Sequence, residues 1–392
     1  MQEEQGLEIH VVGIDMSSAF DTIQRNKLMN IASEFLEEDE LRILRVLLSN
    51  TTLEIKIKNT TTKPFMSNIG SPQGDAISGP LFTIYFENYL KEVRKEIKDT
   101  PIYIPDINTK WIEQRNSSLP KELIYADDSD FLTEDIKIKN VIEQKAPSTL
   151  AKGNLIVNKS KTEHTILKRE SKLNEKWRNT KKLGSLLGDE EDIKRRKQLA
   201  SIALQDMNKI WKRKKYTPMK KRIQLYESLV KSILLYNCST WGLTKTSEKK
   251  LDSFHRKQLR IILNIRWPHT INCKKLYLRT NTKPLSIEIT ERRWKMLGHI
   301  LRMDKESPAR KAMKFYFEKR SNRKFTGRKR ATIISTINRD ICKTKTKYRN
   351  FEINELKTEH NLHNIGTKAR NRKKWSNIVK MVVDAAYSEA SV

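Results

Sequence analysis

A chain of 392 residues in which 78 Lys and Arg outnumber 47 Asp and Glu carries a formal +31 at neutral pH, an excess that calls for a polyanionic partner whose counterions are released on binding. Hydrophobic residues at 37% and seven Trp suffice for packed cores in two or three domains, which excludes disorder throughout. Cys238, Cys273 and Cys342 are too far apart for a zinc finger and odd in number for a disulfide scaffold, and neither a signal peptide nor an apolar run of membrane-spanning length is present.

The first element is the apolar run Val11-Val12-Gly13-Ile14, which reads as a buried strand and delivers Asp15 at its end, with Phe20 five residues further on. An Asp in that place can also be a helix N-cap. Next comes Gly70-Ser71-Pro72-Gln73-Gly74-Asp75, read as a loop. Gly70 and Gly74 permit close backbone approach to a ligand, Pro72 stiffens the turn, and Gln73 offers both a donor and an acceptor. From Pro80 onward, Leu81, Phe82, Ile84, Tyr85 and Tyr89 recur at helical spacing and read as core. The stretch Leu123-Ile124-Tyr125-Ala126-Asp127-Asp128-Ser129-Asp130-Phe131-Leu132 reads as a hairpin with Asp127-Asp128 at its tip. Asp-Asp is also common in ordinary solvated turns. A carboxylate at the end of one strand and a pair at a neighbouring turn can converge on one place. Three such groups repel unless cations lie between them, and an oxygen-only ligand set suits Mg²⁺. Two such ions ~4 Å apart clamp the attacking and leaving oxygens of a phosphoryl transfer. Asp21 and Asp130 are left out of this set, because side chains alternate along a strand and both positions suit solvated turns or caps.

Two short segments follow, Asn158-Lys159-Ser160-Lys161-Thr162-Glu163 and Lys182-Leu183-Gly184-Ser185-Leu186-Leu187. Beyond about residue 195 the pattern turns helical and basic. Arg195-Arg196-Lys197 and Lys212-Arg213-Lys214-Lys215 are interleaved with Trp211 and Tyr216. Apolar positions at Ile223, Tyr226, Leu229, Val230, Ile233 and Leu234, then at Leu251, Phe254, Leu259, Ile262 and Leu263, predict helices with Lys and Arg on their other faces. Such a surface suits a duplex held by its phosphates. Residues 305–330, with Pro308 and Gly327, read as a linker, and 331–392 as one or two helices. Arg370-Asn371-Arg372-Lys373-Lys374-Trp375 is a candidate further contact to nucleic acid.

Taken in order, these segments resemble the reverse transcriptase of non-LTR (LINE-type) retrotransposons. Asp15 to Phe20 looks like block A, Gly70 to Phe82 like block B, Tyr125 to Asp128 like block C, Asn158 to Glu163 like block D and Lys182 to Leu187 like block E. A weaker likeness continues through Arg292-Arg293-Trp294-Lys295-Met296-Leu297-Gly298-His299 and Ala369 to Trp375, so that it covers nearly the whole chain. The resemblance implies an α+β fold. Residues 1–190 would be a polymerase palm, an antiparallel sheet with helices on one side. Residues 191–304 would be an α-helical thumb, and 305–392 a basic C-terminal region.

The resemblance also implies roles. Asp15 and Asp127 would bridge two Mg²⁺ ions, with Mn²⁺ able to replace them, and Asp128 would complete the metal site. Phe20 would be the steric gate against a 2′-hydroxyl, where the plain alternative is a core Phe. Gln73, Gly74 and Tyr125 would meet the nucleotide. Lys161 would protonate the leaving pyrophosphate, where the plain alternative is a surface lysine beside Lys159. Leu183 to Leu187 would be a small hairpin gripping the primer end, with Gly184 letting backbone approach backbone. The implied partners are an RNA template, a DNA primer or target and deoxynucleoside triphosphates, with no membrane, and the implied location is the nucleus. Gly79 between Ser78 and Pro80 departs from the family, in which Pro usually follows directly. Only 14 residues precede Asp15, where the family carries a long fingers region, so the expectation is a truncated copy without a target-nicking nuclease. Such a copy would be either a polymerase or a catalytically inactive relic that binds RNA or DNA.

Overall fold

In the computed structural model the described residues are 8–71, 74–99, 121–168, 175–213, 216–317 and 330–389. The chain divides into two compact units, Leu7–Lys168 and Arg169–Val392. The first is α+β and the second almost wholly helical, as a palm and a helical thumb require. The division falls after Lys168, so the Lys182 to Leu187 segment belongs with the helices.

The first unit contains β1 (Ile9–Ile14), α1 (Arg25–Ala32), α2 (Glu38–Leu48), the two-residue strands β2 (Thr52–Leu53), β3 (Lys56–Ile57), β4 (Thr60–Thr61) and β5 (Phe65–Met66), α3 (Ser78–Asp99), β6 (Glu122–Tyr125), β7 (Asp128–Thr133), α4 (Ile136–Ala151) and β8 (Glu163–Leu167). The main sheet has the order β6-β7-β1-β8, and every pair in it is antiparallel. Rich in β-branched residues, β1 takes a central place and is buried along its whole length. Its residues Val12 and Ile14, with Phe131 opposite Val12, join one apolar cluster with Leu81, Phe82 and Tyr85 of α3 and Ile142 and Leu150 of α4. Strand side chains alternate, so this face of the sheet meets the helices and Asp15 belongs to the other. Pro80 lies in the first turn of α3, where its missing N–H has no partner to lose.

In the second unit the order is β9 (Lys181–Lys182), β10 (Ser185–Leu186), α5 (Asp189–Asp206), α6 (Asn208–Lys212), α7 (Met219–Leu225), α8 (Lys245–Leu263), α9 (Cys273–Thr280), α10 (Leu285–Arg302), α11 (Pro308–Phe315), α12 (Ile333–Lys347), α13 (Glu359–Arg370) and α14 (Arg372–Glu389). A π-helical stretch, Tyr226–Lys231, follows α7. Its wider turn shifts the register, so Val230 and Leu234 are buried while Leu229, read from sequence as apolar-face, is exposed. The three cysteines are unpaired. Among the described residues no helix is long and apolar enough to cross a membrane.

The C-terminal region departs from expectation in two ways. It holds three helices, α12 to α14, rather than one or two, and they share a core with the end of α10. Trp375 is part of that core rather than of a nucleic-acid surface: it is buried and donates from Nε1 to the Trp294 carbonyl at 3.1 Å. Arg293 is fully buried and donates to Asp340 Oδ2 at 2.8 Å, and the same oxygen accepts from Trp294 Nε1 at 3.0 Å. Arg293 and Trp294 of the family-like stretch are therefore core residues. The other residues of the basic run that ends at Trp375, namely Arg370, Asn371, Arg372, Lys373 and Lys374, are all exposed.

His255 on α8 offers a test of the second unit's core. It is fully buried between the rings of Tyr226 and Tyr277, and neither ring nitrogen has a hydrogen-bond partner. Burial first, then the charges of Lys231 and Arg256, push its pKa down to about 3. Between that value and the ordinary ~6.5, the unfolded chain binds a proton that the folded chain refuses. The stability this neutral imidazole confers is whole above pH ~6.5 and drains away as pH falls. The unfolding free energy of the wild type, taken relative to His255→Phe, should therefore drop by up to ~1.4 kcal/mol per pH unit between pH 6 and 4. Urea unfolding at a series of pH values measures it, and a flat difference would rule it out.

Candidate active site

Antiparallel register brings the end of β1 to the tip of the β6–β7 hairpin. Ile14 lies opposite Ser129 and Gly13 opposite Asp130, so Asp15, one residue on, falls across from Asp128. Directly opposed side chains on one face have Cβ atoms ~5 Å apart. Tyr125 pairs with Asp128, leaving Ala126 and Asp127 as a two-residue turn with Ala126 at φ 54°. That left-handed value is strained for an alanine and fixes the direction in which Asp127 leaves the strand. Asp130 and Glu163 both lie opposite Gly13, from β7 and β8, and so share the face of Asp15 and Asp128. The sequence reading set Asp130 aside and missed Glu163, since pairing register is invisible along one strand. Among the described residues, no three His, Cys, Asp or Glu side chains close into a group that could hold a metal ion. The acids named from sequence therefore reach one end of the sheet without forming a ready-made cage, with Asp127 in the turn and Asp128 on a strand face. The donor set still suits a hard cation, because it is all carboxylate and Asp15 Oδ2 is buried without a hydrogen bond.

The segment leading into β8 closes on Asp15. Ser17 N donates to the Ile156 carbonyl at 2.9 Å and Asn158 N to the Asp15 carbonyl at 2.8 Å. Asn158 Oδ1 accepts from Ser160 N and Oγ at 3.1 and 2.7 Å, and Lys161 N donates to the Asn158 carbonyl at 3.1 Å. This side-chain-supported turn presents Lys161, whose Nζ is 3.4 Å from Asp15 Oδ2. Lys161 is thus exposed, yet aimed at the first carboxylate.

The loop before α3 is tied to the same place. Gly70 N donates to the Ile23 carbonyl at 2.8 Å and Ser71 N to the Phe20 carbonyl at 2.9 Å. Gly70 has φ 77°, and a Cβ there would come within 2.9 Å of the Asp21 carbonyl oxygen. Its close approach is to the chain's own backbone, not to a ligand. The half-buried Phe20 stacks on Phe82 of α3, ring centroids 4.3 Å apart at 24°. Gln73 lies outside the described residues. Gly74 has φ 93° with open space around it, and Tyr125 ends β6 and is exposed. Arg25, which no motif singled out, organises the loop. Its guanidinium is buried and donates to the carbonyls of Leu48 at 2.6 Å, Ser67 at 2.7 Å, Gly70 at 2.9 Å and Ile69 at 3.3 Å, and to Thr51 Oγ1 at 3.0 Å.

Within the second unit, β9 and β10 form the expected small hairpin. Leu183 and Gly184 occupy its two-residue turn at φ 46° and 79°, the pair of positive values that type I′ turns need. A Cβ on Gly184 would meet only Tyr236, at an ordinary 3.7 Å, so the dihedral rather than a close approach explains the glycine. Tyr236 Oη donates to the Leu183 carbonyl at 2.8 Å, while Arg195 and Arg196 both donate to the Gly184 carbonyl. The two arginines, read as a nucleic-acid cluster, hold this turn.

The family model described as reverse transcriptase (RNA-dependent DNA polymerase) matches residues 1–301. The chain belongs to the reverse transcriptase family. No curated protein matches it. Among solved structures it is similar to telomerase from Candida tropicalis in complex with the TWJ fragment of telomeric RNA, at 13% identity over 80% of this chain and 50% of that one, with a TM-score of 0.34. It is also similar to the Candida albicans telomerase in the same kind of complex, at 11% identity over 74% of this chain and 47% of that one, with a TM-score of 0.31. The chain spans about half the length of these telomerase chains. The match takes in the whole of the first unit and extends through most of α10 in the second.

Proposed function

We propose that the chain is an RNA-directed DNA polymerase of the non-LTR retrotransposon type, adding deoxynucleotides to a primer 3′-hydroxyl on an RNA template. The observation that carries this reading is the register that sets Asp15 across from Asp128, with Lys161 Nζ 3.4 Å from Asp15 Oδ2. Asp15, Asp127 and Asp128 would hold the divalent ions, Mg²⁺ or Mn²⁺. When bound, such ions neutralise charge on the triphosphate and make the 3′-hydroxyl a better nucleophile. The remaining roles belong to side chains of the chain itself. Phe20, braced by Phe82, offers a fixed plate that leaves no room for a 2′-hydroxyl. Lys161 carries protons within reach of a leaving pyrophosphate at Asp15. Gln73, Gly74 and Tyr125 contact the nucleotide, and the net +31 draws the template–primer by its phosphates.

Primer extension on an RNA template, with deoxynucleotides and Mg²⁺, tests the proposal against Asp127→Asn/Asp128→Asn. Extension by the wild type and none by the variant is the expected result. Salt-sensitive RNA binding by both, with no extension by either, would replace the polymerase with a nucleic-acid-gripping relic.

A further inference from the structure

Among the described residues one tryptophan stands apart. Trp211, Trp241, Trp294 and Trp375 are each under 5% exposed, whereas Trp267 is 90% exposed. A side chain with 150–250 Å² of apolar surface is ordinarily covered, and its enrichment at binding hot spots reflects what it gains there. The fold makes no use of this indole: among the described residues it has no ring partner and no hydrogen bond.

The loop that carries it is built rather than loose. It runs from Asn264, the left-handed C-cap of α8, to Asn272, whose side chain accepts from Lys275 N at 2.8 Å and caps α9. Arg260 of α8 donates to the Ile271 carbonyl at 3.3 Å and His269 N to the Arg266 carbonyl at 2.9 Å. The two ends are pinned, and the tip holds Arg266, Trp267 and His269, all exposed.

The stretch of sequence that carries it has one sign. No Asp or Glu occurs between Asp252 and Glu288. Arg266, Lys274, Lys275 and Arg279 are exposed and make no ion pair among the described residues. In a chain where many surface lysines and arginines do find carboxylates, these are left for an external anion.

We infer that Trp267 is a stacking platform for an unpaired base, and that Arg266, Lys274, Lys275 and Arg279 draw in the phosphates of that single strand. The pairing of an exposed aromatic with unpaired cations is what single-strand binding needs, since every base offers a π-face and stacking tolerates any sequence. A blunt duplex presents phosphates to the same cations but no free base face to the indole. This inference rests on the reading of the chain as a nucleic-acid polymerase, and names the strand its helical unit would hold outside the duplex.

Fluorescence anisotropy on the full chain tests it, with a labelled single-stranded RNA oligonucleotide, its blunt duplex, and anionic phosphatidylserine vesicles as a third probe. Trp267→Ala should weaken single-strand binding ~10-fold, Trp267→Phe should retain most of it, and duplex binding should change little. The slope of log affinity against log salt should be unaltered by Trp267→Ala, because an indole releases no counterion, and should shrink by ~1 in Arg266→Ala. Equal losses on duplex and single strand would overturn the inference, as would unchanged single-strand binding. Vesicle binding that depends on Trp267 while RNA binding does not would assign the surface to a membrane instead. Primer extension keeps the two readings apart. A chain that extends primers but binds RNA equally well without Trp267 refutes only the platform. A chain that never extends, yet loses single-strand affinity with Trp267, refutes only the polymerase.

Discussion

Replacing Arg25 by Met should release the loop between α2 and α3, at a cost of about 3 kcal/mol. The guanidinium satisfies four backbone carbonyls spread from Leu48 to Gly70 and one hydroxyl, and among the described residues no carboxylate shares the work. Each hydrogen bond from a charged donor contributes roughly 1.5–3 kcal/mol, and carbonyls left buried without a partner cost more, although those nearest the surface recover water. Arg25→Lys should restore little, because an ammonium cannot spread its three donors over a fork of five acceptors. Hydrogen–deuterium exchange reads the effect where it occurs. Amides of residues 48–71 should exchange ~100-fold faster in the Met variant, the factor that about 3 kcal/mol implies. Those of β1 should change far less. Because Ser71 N and Gly70 N reach the carbonyls of Phe20 and Ile23, the loosened loop would also free the plate at Phe20. Uniform exchange in both variants would show that packing, not Arg25, holds this loop.

Arg25 also marks the limit of what the sequence discloses. Strand, turn and helix signals in the first unit are local, and they sufficed for β1, the β6–β7 hairpin, α3 and the convergence of Asp15 with Asp128. An arginine whose partners are backbone carbonyls leaves no such trace, since carbonyls carry no residue identity. Register behaves likewise. Glu163 and Asp130 share a face with Asp15 only because β8 and β7 both pair with β1 at Gly13. In the second unit the basic cluster Arg195-Arg196-Lys197 reads as a nucleic-acid surface, but Arg196 holds the turn at Gly184; elsewhere Arg293 pairs with buried Asp340. Charge alone does not distinguish a phosphate ligand from a guanidinium enlisted to satisfy the chain's own oxygens. The misread Trp375 follows from the same ambiguity, as a basic run can flank a core residue at the start of a helix.

Asp15→Asn should abolish primer extension, and Lys161 then separates charge from proton transfer. On the proposed role of Asp15 as a metal ligand, losing its carboxylate removes several kcal/mol of transition-state stabilisation, or about a thousand-fold in rate. The Lys161–Asp15 pair itself adds little to folding, for its side chains are 65% and 29% exposed and such pairs contribute under ~1 kcal/mol. Lys161→Ala should therefore melt with the wild type, so that a fall in extension rate cannot be ascribed to unfolding. General acids contribute ~10²–10⁴ in rate, and a loss at the lower end of that range is expected. Lys161→Arg decides the role. Arginine restores a positive charge beside Asp15, but it does not give up a proton at accessible pH. If Lys161 only steadies Asp15 or screens the triphosphate, the arginine variant should recover most of the rate. If it protonates pyrophosphate, the variant should stay as slow as Lys161→Ala. Full rate in all three proteins would return Lys161 to the ordinary surface.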